Sequence, residues 1–133
     1  EIHIFNGALN EILDTAITAF EHGDIEQAKS VEPLEEVIDN LRTEIRNRHV
    51  KRLRKGKCTI EMGFVLTDLI TNYERVADHC SNIAARLVGM EAGEDYDSHT
   101  LKNMMHHNPT KEYMLNYEQC RKDYLIPLEQ LEA

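Results

Sequence analysis

Apolar positions in this chain recur at helical spacing, and no segment of useful length alternates as a strand would. Leu9, Ile12, Leu13, Ala16, Ile17 and Phe20 fall on one stripe and predict a helix from about Ile4 to Phe20. His22-Gly23-Asp24 interrupts it, with Gly23 as C-cap and Asp24 as the next N-cap, and a short turn from Ile25 to Lys29 follows. A second long helix starts at Val31, with Ser30 as N-cap and Pro33 tolerated in its first turn. Leu34, Val37, Ile38, Leu41 and Ile45 make its stripe, and it closes at Lys55-Gly56. A third runs from Thr59 to Val88 on the stripe Leu66, Leu69, Ile70, Tyr73, Val76, Ala77, Cys80, Ile83, Ala84 and Leu87. Gly89 is expected to end it, ahead of an acidic loop to Asp97. A further helix opens near Ser98 and breaks at Asn108-Pro109. The last segment, Thr110 to Leu131, carries Tyr113, Tyr117, Tyr124, Leu128 and Leu131, and Pro127 is expected to kink it or end it early.

These elements predict an all-α fold: an antiparallel three-helix bundle over residues 1–88, with an acidic loop and C-terminal tail helices over 89–133 packing on it. At 133 residues, with 41% apolar and 29% charged positions, the chain suits one domain with one core. No apolar run is long enough to cross a membrane as a helix. The first residue is Glu1 and not Met, so the segment is expected to be part of a longer polypeptide. Cys58, Cys80 and Cys120 form no CxxC pair and suggest neither a zinc knuckle nor a disulfide framework; a reducing, cytosolic compartment fits them best.

Charge changes the picture. The net charge of −9 argues against nucleic acid as a partner. Between Arg42 and Lys57, however, eight Lys or Arg stand against one acid, Glu44, a local +7 that leaves −16 on the remainder. Arg46, Arg48, Lys51, Arg52, Arg54 and Lys55 are therefore candidates for contact with anionic lipid or with the loops of a membrane protein. The plainer reading is a solvated helix end that complements its own dipole.

The second and third helices echo each other. Leu34-Glu35-Glu36-Val37-Ile38-Asp39 and Tyr73-Glu74-Arg75-Val76-Ala77-Asp78 share the pattern apolar-E-x-V-apolar-D. Residues four apart share a helix face, so Glu35 stands over Asp39 and Glu74 over Asp78, at the same offset from each core stripe. Both pairs are expected to face away from the core. If the helices are neighbours, the four form one acidic patch, a natural guest site for hard or borderline cations. The alternative is a charged, solvated face. Arg75 is a candidate ion-pair partner of Glu36 or Asp39, and His106-His107 reads as surface.

The signature Glu35-x-x-x-Asp39, then His49-x-x-Arg52-Leu53-x-x-Gly56-x-Cys58, then Leu69-Ile70-x-Asn72-Tyr73-Glu74-Arg75-Val76-Ala77-Asp78-His79-Cys80-Ser81-Asn82-Ile83-Ala84 resembles a PhoU domain. Tyr73 and the run His79-Cys80-Ser81 look most like the domains fused to the C-terminus of bacterial sodium–phosphate cotransporters. The resemblance implies a helical bundle that modulates phosphate uptake without catalysis. It also implies iron or zinc on Glu35, Asp39, Glu74 and Asp78, and a place on the cytoplasmic face of the inner membrane. The partner would be a transporter domain of the same polypeptide. Stand-alone family members carry two three-helix units where this chain has one, and a minimal unit lacks the 89–133 tail.

Two other functions compete. A stand-alone adaptor of phosphate signalling would form a homodimer to replace the missing unit. A di-iron carboxylate enzyme would need Glu-x-x-His pairs aimed into the core, and no Glu here is followed three residues later by His. No Gly-rich phosphate loop is present either.

Overall fold

The computed structural model describes residues 1–132, apart from the side chain of Ser98. Its elements are α1 (Ile2–His22), α2 (Ile25–Lys29), α3 (Val31–Arg54), α4 (Ile60–Ala92), α5 (Ser98–His107), α6 (Lys111–Cys120), a π turn (Arg121–Leu125) and α7 (Ile126–Glu129). No strand occurs among the described residues, and the fold is an all-α bundle. α1, α3 and α4 pack pairwise and antiparallel in chain order, and α6 lies along α3.

The termini follow capping chemistry. Gly23 takes the left-handed conformation at φ 61° and closes α1. The Asp24 side chain accepts from the backbone N–H of Gln27, and Thr59 caps α4 by accepting from Met62 N–H. Ser30 does not cap α3 with its side chain. It sits at φ −76°, ψ −13°, already helical, and its hydroxyl donates back to the Gln27 carbonyl at 2.6 Å. α2 thus runs into α3 without the extended residue that side-chain capping requires.

The core is built from Phe5, Ala8, Ile12, Ala16 and Ala19 of α1, Leu34, Val37, Ile38, Leu41 and Ile45 of α3, and Ile70, Ala77, Cys80 and Ala84 of α4. Burial pushes the Cys80 thiol pKa up, in keeping with a small packed residue. Three expected core residues lie outside: Ile17, Phe20 and Ile83 are exposed. The buried face of α4 centres on Ala77, and at about 100° per residue Ile83 falls about 120° away from it. Ser81 and Ala85, on the other flank, are buried instead.

Gly89 does not end α4. The helix continues to Ala92 and is closed by Gly93 at φ 73°. Gly89 is buried where the 94–96 backbone folds back over it, so a Cβ there would stand 2.8 Å from the Glu94 carbonyl oxygen and 2.9 Å from Tyr96 N. The glycine is required by close approach and not by a turn.

Pro127 neither ends nor breaks the tail. The turn ahead of it widens to a π turn, in which Ile126 N–H bonds to the Arg121 carbonyl five residues back. Proline offers no N–H and crowds the carbonyl four residues earlier, and the wider turn relieves both. The tail then delivers Leu128 into the bundle core, fully buried, while Tyr124 hydroxyl bonds to Glu11 and Asn40 donates to Tyr117 hydroxyl at 3.1 Å.

Gly89→Ala is expected to lower the unfolding free energy by about 1–3 kcal/mol by overpacking against the 94–96 backbone. Leu128→Ala is expected to lower it by about 2–5 kcal/mol through loss of a buried side chain. Urea titration followed by circular dichroism checks both, and a stability unchanged by Leu128→Ala would show that the tail is not part of the core.

Candidate functional site: the polar seam between α3 and α4

Two hydrogen bonds fix the register of α3 against α4. Ser81 hydroxyl donates to Glu32 Oε2 at 2.7 Å, and Arg42 Nη1 donates to Glu74 Oε2 at 2.8 Å. That antiparallel register places Asp39 level with Glu74 and Glu35 level with Asp78. The echo in the sequence is therefore brought to one seam.

The seam contains its own cations. Arg42 bridges Asp39, at 3.1 Å, and Glu74. Lys102, reaching over from α5, holds Glu35 at 2.8 Å and stands 4.0 Å from Glu36. His106 Nε2, also on α5, lies 3.4 Å from Glu36. Burial opposes the charge on Lys102, but the hydrogen bond and attraction of Glu35 outweigh it and raise its pKa, so the ammonium stays charged. Burial lifts the Glu35 carboxyl, and Lys102 offsets part of that lift.

Glu35 does not face solvent as expected. It is buried, with the Lys102 side chain of α5 closing over it. Asp39 and Glu74 are partly exposed, and Asp78 is exposed. Arg75 is exposed and makes no ion pair among the described residues; Arg42 takes the role expected of it. Arg42 and Lys102 engage three of the four carboxylates to which the resemblance assigns iron or zinc, Glu35, Asp39 and Glu74. Among the described residues no group of three or more His, Cys, Asp or Glu is arranged to hold a metal ion.

Glu32 is the seam's most unusual group and escaped the sequence reading. It is 1% exposed, and its Oε1 has no hydrogen-bond partner among the described residues. Burial pushes its pKa up to about 7, against the opposing bond from Ser81. Its position one turn before Glu35 and Glu36 was the available signal. Beside the seam, an open groove of about 360 Å³ between α5 and α6 is lined by Glu36, Met105, His106, Tyr113 and Tyr117 among others.

The basic stretch divides. Arg48 is buried, donating to Glu1 Oε1 at 2.6 Å and to the Leu131 carbonyl at 2.5 Å, and Arg52 donates to Glu1 at 2.8 Å. Burial works against the Glu1 charge, yet Arg52 and Arg48 together hold its carboxyl below the usual value. These two arginines tie the start of α1 to the end of α3 and are not open to a partner. Arg46, Lys51, Arg54 and Lys55 are exposed.

A raised carboxyl pKa means that the folded state binds the Glu32 proton more tightly than the unfolded chain does. The contribution is present below about pH 4.5 and is lost as pH rises to about 7. Glu32→Gln is expected to remove this loss, on the order of 3 kcal/mol at most, so the variant gains on the parent as pH rises through that window. Urea midpoints from pH 4.5 to about pH 8 measure the difference; parallel curves would show that Glu32 does not titrate there.

The three-helix bundle of α1, α3 and α4, whose last two helices form the seam, is also the region shared with known proteins. The PhoU domain family matches residues 6–87. A protein described as phosphate-specific transport system accessory protein PhoU homolog 1, from Thermotoga maritima, is 28% identical over 89 residues, covering 67% of this chain. The matched region spans 38% of that relative's own length. No solved structure matches the chain. With the family match running from the first turns of α1 almost to the end of α4, the chain belongs to the PhoU domain family.

Proposed function

We propose that this PhoU domain is a regulatory module of inorganic phosphate uptake, attached to a sodium–phosphate cotransporter and acting by docking rather than by bond chemistry. The observation that carries this reading is the PhoU match over residues 6–87, supported by a relative named for phosphate-specific transport. The seam agrees with a regulatory role. Its carboxylates are bound to Arg42, Lys102 and Ser81, an arrangement that fixes helices, and the hydroxyl–carboxylate pair within it, Ser81 with Glu32, is buried. No helix among the described residues is long and apolar enough to cross a membrane. The membrane portion in this reading is a separate segment of the polypeptide, and one joined ahead of Glu1 would enter at the basic end, where Glu1 meets Arg48 and Arg52.

A second reading, a stand-alone dimeric adaptor, is favoured by one observation. Phe20, Ile83 and Met90 form an exposed apolar surface at the far end of α1 and α4, suited to a second copy.

Deleting this domain from the gene is expected to abolish the adjustment of radiolabelled phosphate uptake to phosphate supply. Uptake that still adjusts normally would overturn the regulatory reading. An antibody to the domain separates the two forms of it. A membrane-fraction band several times heavier than 15.4 kDa supports the cotransporter, whereas a soluble band near that mass supports the adaptor.

A further inference from the structure

We propose that the basic end of the bundle docks on an anionic lipid surface, with the first two turns of α4 entering the interface. The inference stands on the surface alone, whatever the domain regulates. At this end α3 closes, residues 55–59 connect, and α4 opens. Three arginines of the stretch are satisfied within the molecule: Arg42 by Asp39 and Glu74, and Arg48 and Arg52 by Glu1. Five cations remain. Arg46, Lys51, Arg54, Lys55 and Lys57 are exposed and make no ion pair among the described residues.

Next to them, Ile60, Met62, Phe64 and Val65 are 65%, 57%, 69% and 60% exposed. Single exposed apolar residues are ordinary, but four within six positions, one aromatic, leave the first two turns of α4 apolar and uncovered on more than one side. Ile60 and Phe64, four apart, share one face of the helix. Glu61 and Asp68 are the acids of the same stretch, and they do not cancel five cations. Apolar side chains ringed by Lys and Arg are the composition of an interfacial anchor: the cations meet phosphate headgroups while Phe64 and Ile60 reach the acyl boundary.

The remainder of the molecule fixes the orientation. Glu21, Asp24, Glu91, Glu94 and Asp95 lie at the opposite end, where α1 and α4 finish, so an anionic surface repels that end and attracts this one.

The chain contains no Trp, which makes Phe64→Trp a single reporter at the patch. The probes are vesicles of phosphatidylcholine alone and of phosphatidylcholine with phosphatidylglycerol. The chain is expected to float with the anionic vesicles and not with the neutral ones, and the indole emission of the Phe64→Trp variant to shift to the blue only with the former. Each cation near such a surface is worth about fivefold in binding, so Lys55→Glu with Lys57→Glu is expected to weaken binding by about 25-fold or more. Both substitutions lie at exposed positions, and circular dichroism verifies that the helices persist. Absence of flotation with anionic vesicles at low salt would overturn the proposal. Flotation with the indole emission unmoved and with Phe64→Ser binding unchanged would overturn it equally, reducing the effect to adsorption by the exposed cations alone.

Discussion

Lys102 and Arg42 compensate the carboxylates of α3, and the arrangement of the bundle depends on them. α3 is flanked by α1, α4 and α6, so its acidic side is covered as well as its apolar side. A carboxylate taken from water costs several kcal/mol unless a cation accompanies it. One cation comes from α3 itself, where Arg42 lies one turn beyond Asp39, and the other comes from α5. The placement of α5 is accordingly a matter of charge as much as packing: Leu101 is its buried apolar residue, and Lys102 beside it supplies the pair. Glu32 has only a hydroxyl for a partner, and that is why its proton is held close to neutrality.

The two ends of the molecule differ more than its sides do. Acids gather where α1 and α4 finish, while exposed cations with no ion pair among the described residues gather where α3 turns into α4, and exposed apolar side chains stand at both ends.

Much of this was legible in the sequence because it is local. Gly23-Asp24, Thr59 and Asn108-Pro109 act within a turn of themselves, and the α3 stripe needs no knowledge of its neighbours. The echo of Glu35 and Asp39 in Glu74 and Asp78 led to the seam. What neutralises it was not legible, since Glu35 and Lys102 are 67 residues apart and no helical spacing joins them. Ile17, Phe20 and Ile83 were assigned to the core for a related reason: periodicity gives the phase of a stripe, but only the neighbouring helices set its width. Arg48 and Arg52 were read as exposed because their partner, Glu1, lies at the other end of the α1–α3 pair in sequence although beside them in space. Gly89 had the residue type of a helix stop, and its actual requirement comes from a backbone that returns over it.

The π turn at Arg121–Leu125 sets the phase of everything that follows it. A π turn takes up one residue more than an α-helical turn, so the side chains beyond it are rotated by about 100° from where an unbroken α-helix would aim them. That rotation is what turns Leu128 into the bundle core, so the fit of the tail is set by the winding of one turn as well as by the residue that fills the core.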